Sequence, residues 1–300
     1  MKFDRMYSSK WTRPLAGVSR LCVAMLAGAA LLSPSIASAN WGCAGRGDIG
    51  GPQLKVIGLT EDQWLVRFKE CRPERLKRIG QVYGLSGDDK ALVGIDFRVQ
   101  DGKLYGVGNG GGVYTIDAET AMATLVSKLT VPLAGKDFGV DFNPAADRLR
   151  IVSDTGQDLR HNVNAGGVTL ADGALNYTLG TAASGITGAA YTNNDLDANT
   201  ATTLFDLDSA LNQTVIQSPP NNGSLVATGK LKVDPDSPIG FDIYTAIDEG
   251  MAIGNRGFAS LMVGGESGFY RVNLLTGEAT KVGEFGDRIK VVDVAVPLDQ

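Results

Sequence analysis

The sequence predicts an all-β chain closed into a propeller, and three observations carry that prediction. Strand-sized apolar runs bounded by Gly, Asp and Asn outnumber helical patterns in a 300-residue chain with 39 glycines. A four-strand order recurs along the chain, with Gly94, Gly139, Gly188 and Gly240 in register at spacings of 45, 49 and 52 residues. That is the period of propeller blades and not of helical solenoids. Finally, the chain ends on a lone first-strand segment, and its first strands form a set of three with no partner before them. Joining the two ends gives five four-stranded blades, one shared by the N- and C-terminal strands, and removes the edges an open stack would expose.

The elements follow in order. Lys2, Arg5, Lys10, Arg13 and Arg20 form a basic leader, followed by an apolar run from Leu21 to Leu32 and the small-residue pattern Ala37-Ser38-Ala39. This reads as a signal peptide over 1–39. The apolar run falls well short of the ~20 residues needed to span a bilayer. The mature chain is therefore expected in the periplasm or outside the cell, as a monomer with no membrane span. Removing the leader takes away five of 28 basic and one of 33 acidic residues, leaving 23 against 32, a net charge of −9. With no basic stripe interleaved with aromatics, nucleic-acid binding is not expected.

Residues 40–53 form a Gly-rich irregular lead-in, and a single domain is expected over 54–300. Cys43 and Cys71 are the two cysteines left after cleavage, and in an exported protein they are expected to pair. From Leu54 the strands KVIGL, QWLVRF and RIGQVYGL follow, with a short helical turn expected near Pro73-Glu74. The basic cluster from Arg72 to Arg78 suits a solvated edge strand or short helix.

The first repeat reads VGIDFRV, KLYGVGN, GGVYTIDAE and MATLVSKL. The second runs from Gly139 through GVDFNPAADRLRIVSDTGQDLR to GGVTLADGAL, with Leu149 and Ile151 alternating against Arg148, Arg150 and Val152. The third holds ITGAAYT, TTLFDLD, QTVIQS and SLVATGKL, with a hairpin turn at Asn222-Gly223. The fourth reads GFDIYT, SLMVGG, GFYRVNLLTGEA and TKVGEFG. Leu104, Leu149, Leu204 and Leu261 align in the second strands, and VVDVAV (Val291 to Val296) is the closing strand.

GIDFRVQDGKLYGVG, DFNPAADRLRIVSDTGQDLR, GALNY, AAYTNND and NNGSL together resemble the bacterial exported family catalogued as domain of unknown function 4394, over about Val56 to Val296. Asp158 departs from the asparagine expected there. The resemblance implies export and a propeller, and it carries no catalytic residue onto this chain.

The candidate chemistry is sparse. Two G-x-G-x-x-G matches, at Gly45 and at Gly106, lack the strand before or the helix after that a dinucleotide site needs. Arg46-Gly47-Asp48 is a tripeptide within the Gly-rich lead-in. His161, the single histidine of the chain, is expected on a strand surface. Asp195, Asp197 and Asn199 have calcium-loop spacing, but Thr200 and Asp206 stand where an EF-hand needs Gly and Glu. That leaves either a looser oxygen-ligated calcium site or a solvated rim loop.

Asp96, Asp141 and Asp242 each lie two residues after an aligned glycine, with Asp293 near the matching point of the last strand. Such carboxylates would ring the channel, either binding a cation or accepting hydrogen bonds from the backbone or from Arg148 or Arg150. The third blade interrupts the series at Ala190. No motif gathers a nucleophile, a base and an orienting group. The expected function is therefore non-catalytic binding of a glycan or an envelope protein, with a calcium-dependent hydrolase on the same scaffold as the rival.

Overall fold

The computed structural model describes residues 53–178, 180–197 and 199–298. The expected leader, nearly all of the lead-in and Cys43 lie outside them, and with Cys43 the expected disulfide. Twenty-two strands form five four-stranded antiparallel sheets and one two-stranded hairpin. The sheets close into a ring, a five-bladed β-propeller.

The first blade is β4 (Leu92–Phe97), β5 (Leu104–Gly108), β6 (Gly112–Ile116) and β7 (Ala123–Lys128). The second is β8 (Phe138–Asn143), β9 (Arg148–Ser153), β10 (Asp158–His161) and β11 (Thr169–Ala171). The third is β14 (Ile186–Tyr191), β15 (Leu204–Asp208), β16 (Gln213–Gln217) and β17 (Leu225–Lys230). The fourth is β18 (Pro235–Asp248), β19 (Met251–Val263), β20 (Glu266–Val272) and β21 (Ala279–Glu284).

The fifth joins the two ends of the chain. β22 (Val291–Ala295) is its inner strand, followed outward by β1 (Lys55–Thr60), β2 (Trp64–Lys69) and β3 (Arg72–Gln81). β22 pairs antiparallel with β1, setting Gly58 opposite Val294 and Leu59 opposite Asp293.

The register of glycines has a steric cause. The inner strands converge on the axis, so each aligned glycine faces the inner strand of the next blade. A Cβ on Gly139 would lie 2.7 Å from Ala189 N, and one on Gly240 would lie 2.5 Å from Asp293 Cα. A backbone neighbour cannot swing aside, so glycine permits this approach.

Each of the five gaps between blades holds one apolar cluster. Ile57, Leu59 and Leu65 meet Ile95 and Leu104 between the fifth and first blades. Tyr105 and Val107 meet Phe142 and Ile151 in the next gap. Phe205 and Leu207 meet Phe241 and Leu261 between the third and fourth. At the closure, Phe68 packs edge-on against Phe269 and Phe285, at 5.0 and 5.2 Å between centroids. The gap between the second and third blades differs. Val152 is the one buried apolar residue that β8–β11 supply there, against Ile186, Ala189, Tyr191 and Leu204. Polar side chains take up the rest.

Several expectations need correction. Pro73 and Glu74 lie in β3, not in a helical turn. β3 is an outermost strand, where a missing N–H leaves no ladder bond unmade. β9 does have two unlike faces, with Leu149 and Ile151 in the apolar cluster toward the first blade and Arg150 on the other side, but both are covered, and Arg150 is 1% exposed. His161 is buried, not on the surface: Nε2 bonds Ser127 Oγ at 2.9 Å and Nδ1 bonds Thr169 Oγ1 at 3.0 Å. These two hydroxyls satisfy the ring, and burial lowers its pKa. The turn at Asn222-Gly223 is a 3-10 turn over Pro220–Asn222 closed by left-handed Gly223, rather than a two-residue hairpin. The hairpin β12 (Asn176–Thr178) and β13 (Thr181–Ala182) was not foreseen.

Candidate functional site

The four predicted channel aspartates lie on inner strands, all buried. Each accepts a backbone N–H from the next blade round the ring. Asp293 Oδ2 accepts from Ile95 N at 2.7 Å, and Asp96 Oδ2 from Phe142 N at 2.7 Å. Asp141 Oδ1 accepts from Tyr191 N at 2.9 Å, and Asp242 Oδ2 from Val296 N at 2.5 Å. The carboxylates are therefore staples between blades, and Arg148 and Arg150 are not their partners. Where Ala190 breaks the series, Asn194 makes the link instead, with Nδ2 donating to Ile243 O at 3.1 Å and its N–H to Thr245 Oγ1 at 3.0 Å.

The carboxylate oxygens of Asp96, Asp141 and Asp242 also lie within 4.8 Å of one another, close enough to share a cation or protons. Burial, then the neighbouring carboxylates, holds Asp96 and Asp141 well above the usual carboxylate range. Burial outweighs the two N–H bonds to Asp242 and pushes it up to about 6.

These shifts set a pH dependence. A carboxyl pKa raised above its unfolded value of about 3.9 means that the folded state binds more protons. The stability from this source is complete below pH ~4 and is lost as pH rises through the folded values, which for Asp242 is about 6. Melting temperature is expected to rise between pH 8 and pH 5. Asp96→Asn keeps the oxygen that accepts from Phe142 N and removes the charge. It should raise the melting temperature at pH 8 and change it little at pH 5. A variant less stable than the parent at pH 8 would show that the ring needs its negative charge.

Asp195, Asp197 and Asn199 lie in the β14–β15 loop, where their oxygens shape turns. Asp195 Oδ1 accepts from Asp197 N at 2.9 Å, and its Oδ2 from Ala252 N at 3.0 Å. Asp197 Oδ1 accepts from the backbone and side-chain nitrogens of Asn199 at 2.9 and 3.0 Å.

The polar gap between the second and third blades holds a site that the sequence did not disclose. Arg150 of β9 is its centre. Its Nη1 donates to Asp158 Oδ1 and, at 2.8 Å, to Asp172 Oδ2. Nε donates to Tyr191 Oη at 3.2 Å and Nη2 to Asn221 Oδ1 at 3.0 Å. Asp158 Oδ2 accepts from Gln217 Nε2 at 2.7 Å, and burial pushes its carboxyl up to about 7 despite Arg150. Asp206 of β15 is fully buried, and neither of its oxygens has a hydrogen-bond partner among the described residues. Burial first, then the charge of Asp158, raises its pKa well above the usual range.

Above this floor opens a pocket of about 160 Å³, lined by Asn143, Arg148, Arg150, Arg160, Tyr191 and Asn221 among others. Two turns frame it. The β8–β9 turn is held by Asn143 Oδ1, which accepts from Ala146 N at 2.8 Å, and by Arg98, which grips Asp147 through Nε and Nη2 at 2.7 and 2.6 Å. The β16–β17 turn presents Asn221, whose carbonyl accepts from Gly173 N at 3.0 Å. Arg160 Nε donates to Asp172 Oδ2 at 2.7 Å, and its two Nη groups have no partner among the described residues. The alternation Arg148-x-Arg150 with Arg160 ten residues on was the available signal. A strand with two unlike faces gives the same alternation, so the pattern alone does not mark a pocket.

Fold and site together define a five-bladed propeller with a cationic pocket between two blades. The chain belongs to the family described as Domain of unknown function (DUF4394), whose family model matches residues 64–295. No curated protein matches it. Among solved structures, it is similar to Kuenenia stuttgartiensis hydrazine synthase at 11% identity and a TM-score of 0.40, over 67% of this chain and 51% of that one. The chain thus spans about half the length of that relative. A Bacteroides thetaiotaomicron protein of unknown function matches at 12% identity and a TM-score of 0.43, over 83% and 66%. An auxiliary nutrient binding protein from Bacteroides ovatus matches at 11% and 0.39, over 75% and 57%. Among the described residues no helix is long and apolar enough to cross a membrane.

Proposed function

We infer that this protein is an exported, non-catalytic binding module of the bacterial envelope, whose pocket between the second and third blades takes an acidic group of a glycan. The observation that carries the reading is the convergence of Arg148, Arg150 and Arg160 on one pocket. At about 160 Å³ it is smaller than the ~300–1,000 Å³ typical of whole-ligand sites, so it suits one terminal group of a larger ligand. Arginine forks match a carboxylate in charge and geometry. The lining includes no carboxylate, serine, cysteine or histidine, which supports binding without turnover. Export, and the pairing of Cys43 with Cys71 in an oxidising compartment, belong to the same proposal and rest on the leader.

Titration calorimetry with uronic-acid and neutral oligosaccharides tests the reading. The acidic series should bind, and Arg160→Ala should weaken it by about tenfold or more. Equal affinity in the variant, or preference for the neutral series, would refute it.

The second reading, calcium-dependent hydrolysis at the channel, rests on the approach of Asp96, Asp141 and Asp242. It requires calcium to raise the melting temperature of the parent protein and Asp96→Asn to abolish that rise.

A further inference from the structure

The face of the fifth blade that looks toward the first carries an unusual arrangement of charge. Lys55 lies opposite Lys69 in the β1–β2 register, and Lys69 lies opposite Arg72 in the β2–β3 register. One step along, Arg67 lies opposite Lys77. Like charges directly opposite across strands repel, and the mature chain as a whole is expected to be acidic. Glu119 bonds Arg67 at 3.0 Å, with both side chains largely exposed. Among the described residues, the side chains of Lys69, Arg72 and Lys77 make no hydrogen bond or ion pair.

These cations edge a groove of about 770 Å³, lined by six basic residues and one acidic residue. Its lining also includes apolar side chains, among them Ile57, Phe97 and Leu298. The volume falls within the ~300–1,000 Å³ range of ligand sites. The lining has the two halves of an amphiphile site, an apolar surface and a cluster of positive charge.

We propose that this groove binds an anionic amphiphile, with one alkyl or acyl chain along Ile57, Phe97 and Leu298 and the charged head held by Lys69, Arg72 and Lys77. The bound anion would supply a counter-charge to Lys69, Arg72 and Lys77. This site lies between the fifth and first blades, separate from the arginine pocket between the second and third.

The test is calorimetry with dodecyl phosphate at sub-micellar concentration, with inorganic phosphate and dodecyl maltoside as controls. The parent protein should bind dodecyl phosphate at least about tenfold more tightly than either control. The exposed triple variant Lys69→Gln/Arg72→Gln/Lys77→Gln should weaken binding about tenfold or more without loss of melting temperature, whereas Arg160→Ala should leave it unchanged. No binding, or equal binding by the triple variant, would overturn the proposal. Inorganic phosphate binding as tightly would reduce the site to a bare anion site, and dodecyl maltoside binding as tightly would remove the role of charge; either overturns it too. Independently, Lys77→Glu sets an acid opposite Arg67 and should raise the melting temperature by about 1–3 °C. A fall or no change would show that the rows carry no unrelieved repulsion.

Discussion

Truncation after Lys290 is expected to unfold the whole ring rather than fray one end. The deletion removes β22, of which Val291, Val294 and Ala295 are buried, together with buried Val296. Burial of each valine contributes about 1.5–3 kcal/mol. The deletion also removes the Asp293 staple to Ile95 and the Val296 N–H that Asp242 accepts. β1 would lose its inner ladder partner, and the aromatic cluster of Phe68, Phe258, Phe269 and Phe285 would open on one side. The sum is comparable to the ~5–15 kcal/mol total stability of a domain. Thermal unfolding of the 1–290 chain should show no cooperative transition, or one lowered by tens of degrees. A melting temperature equal to that of the parent would mean that the ring does not depend on its closing strand.

Arg150→Met should cost about 3–5 kcal/mol, the usual consequence of leaving buried charges without their partner, and lower the melting temperature by roughly 10 °C or more at pH 8. Asp158 and Asp172 would lose the guanidinium they share, beside an Asp206 that has no partner of its own among the described residues. Two further readouts separate this from simple loss of packing. With Arg150 gone, Asp158 loses the charge that offsets its burial and is pushed further up, so protonation relieves it and the penalty should shrink between pH 8 and pH 5. Adding Asp158→Asn to the Arg150→Met chain should recover part of the loss. A penalty independent of pH, with no gain from the second substitution, would show that shape and not charge is what Arg150 supplies.

The fold was legible because propeller geometry forces local rules onto the sequence. Glycine recurs where inner strands nearly touch, as at Gly139 and Gly240, and leucine recurs in the second strands at Leu104, Leu149, Leu204 and Leu261. The channel aspartates were legible for the same reason, since they repeat with the blades. What did not repeat was missed. Arg150, Asp158 and Asp206 come from three strands of two blades, and each looks like an ordinary polar position in its own strand. Their meeting depends on which face of a strand turns toward which neighbour. His161 was misplaced on the same ground: a β-strand in a propeller has two buried faces, so alternation no longer marks the surface. Pro73 pointed to a turn because local propensity cannot tell an outermost strand from the start of a helix.

Closure by the last strand also sets a timetable for the chain. Blades one to four are local meanders, each able to pair with itself as it emerges. β1 to β3 are made first and must wait, since their inner partner comes last. Ile95 and the carboxylate that secures it are 198 residues apart, a lag of roughly 10–40 s at ~5–20 residues per second of synthesis. Through that interval the open assembly carries an unpaired β1 edge, exposed to other chains and to holding factors. Under the proposed export, this delay would be an advantage: the step that locks the molecule cannot occur before its C-terminal strand arrives.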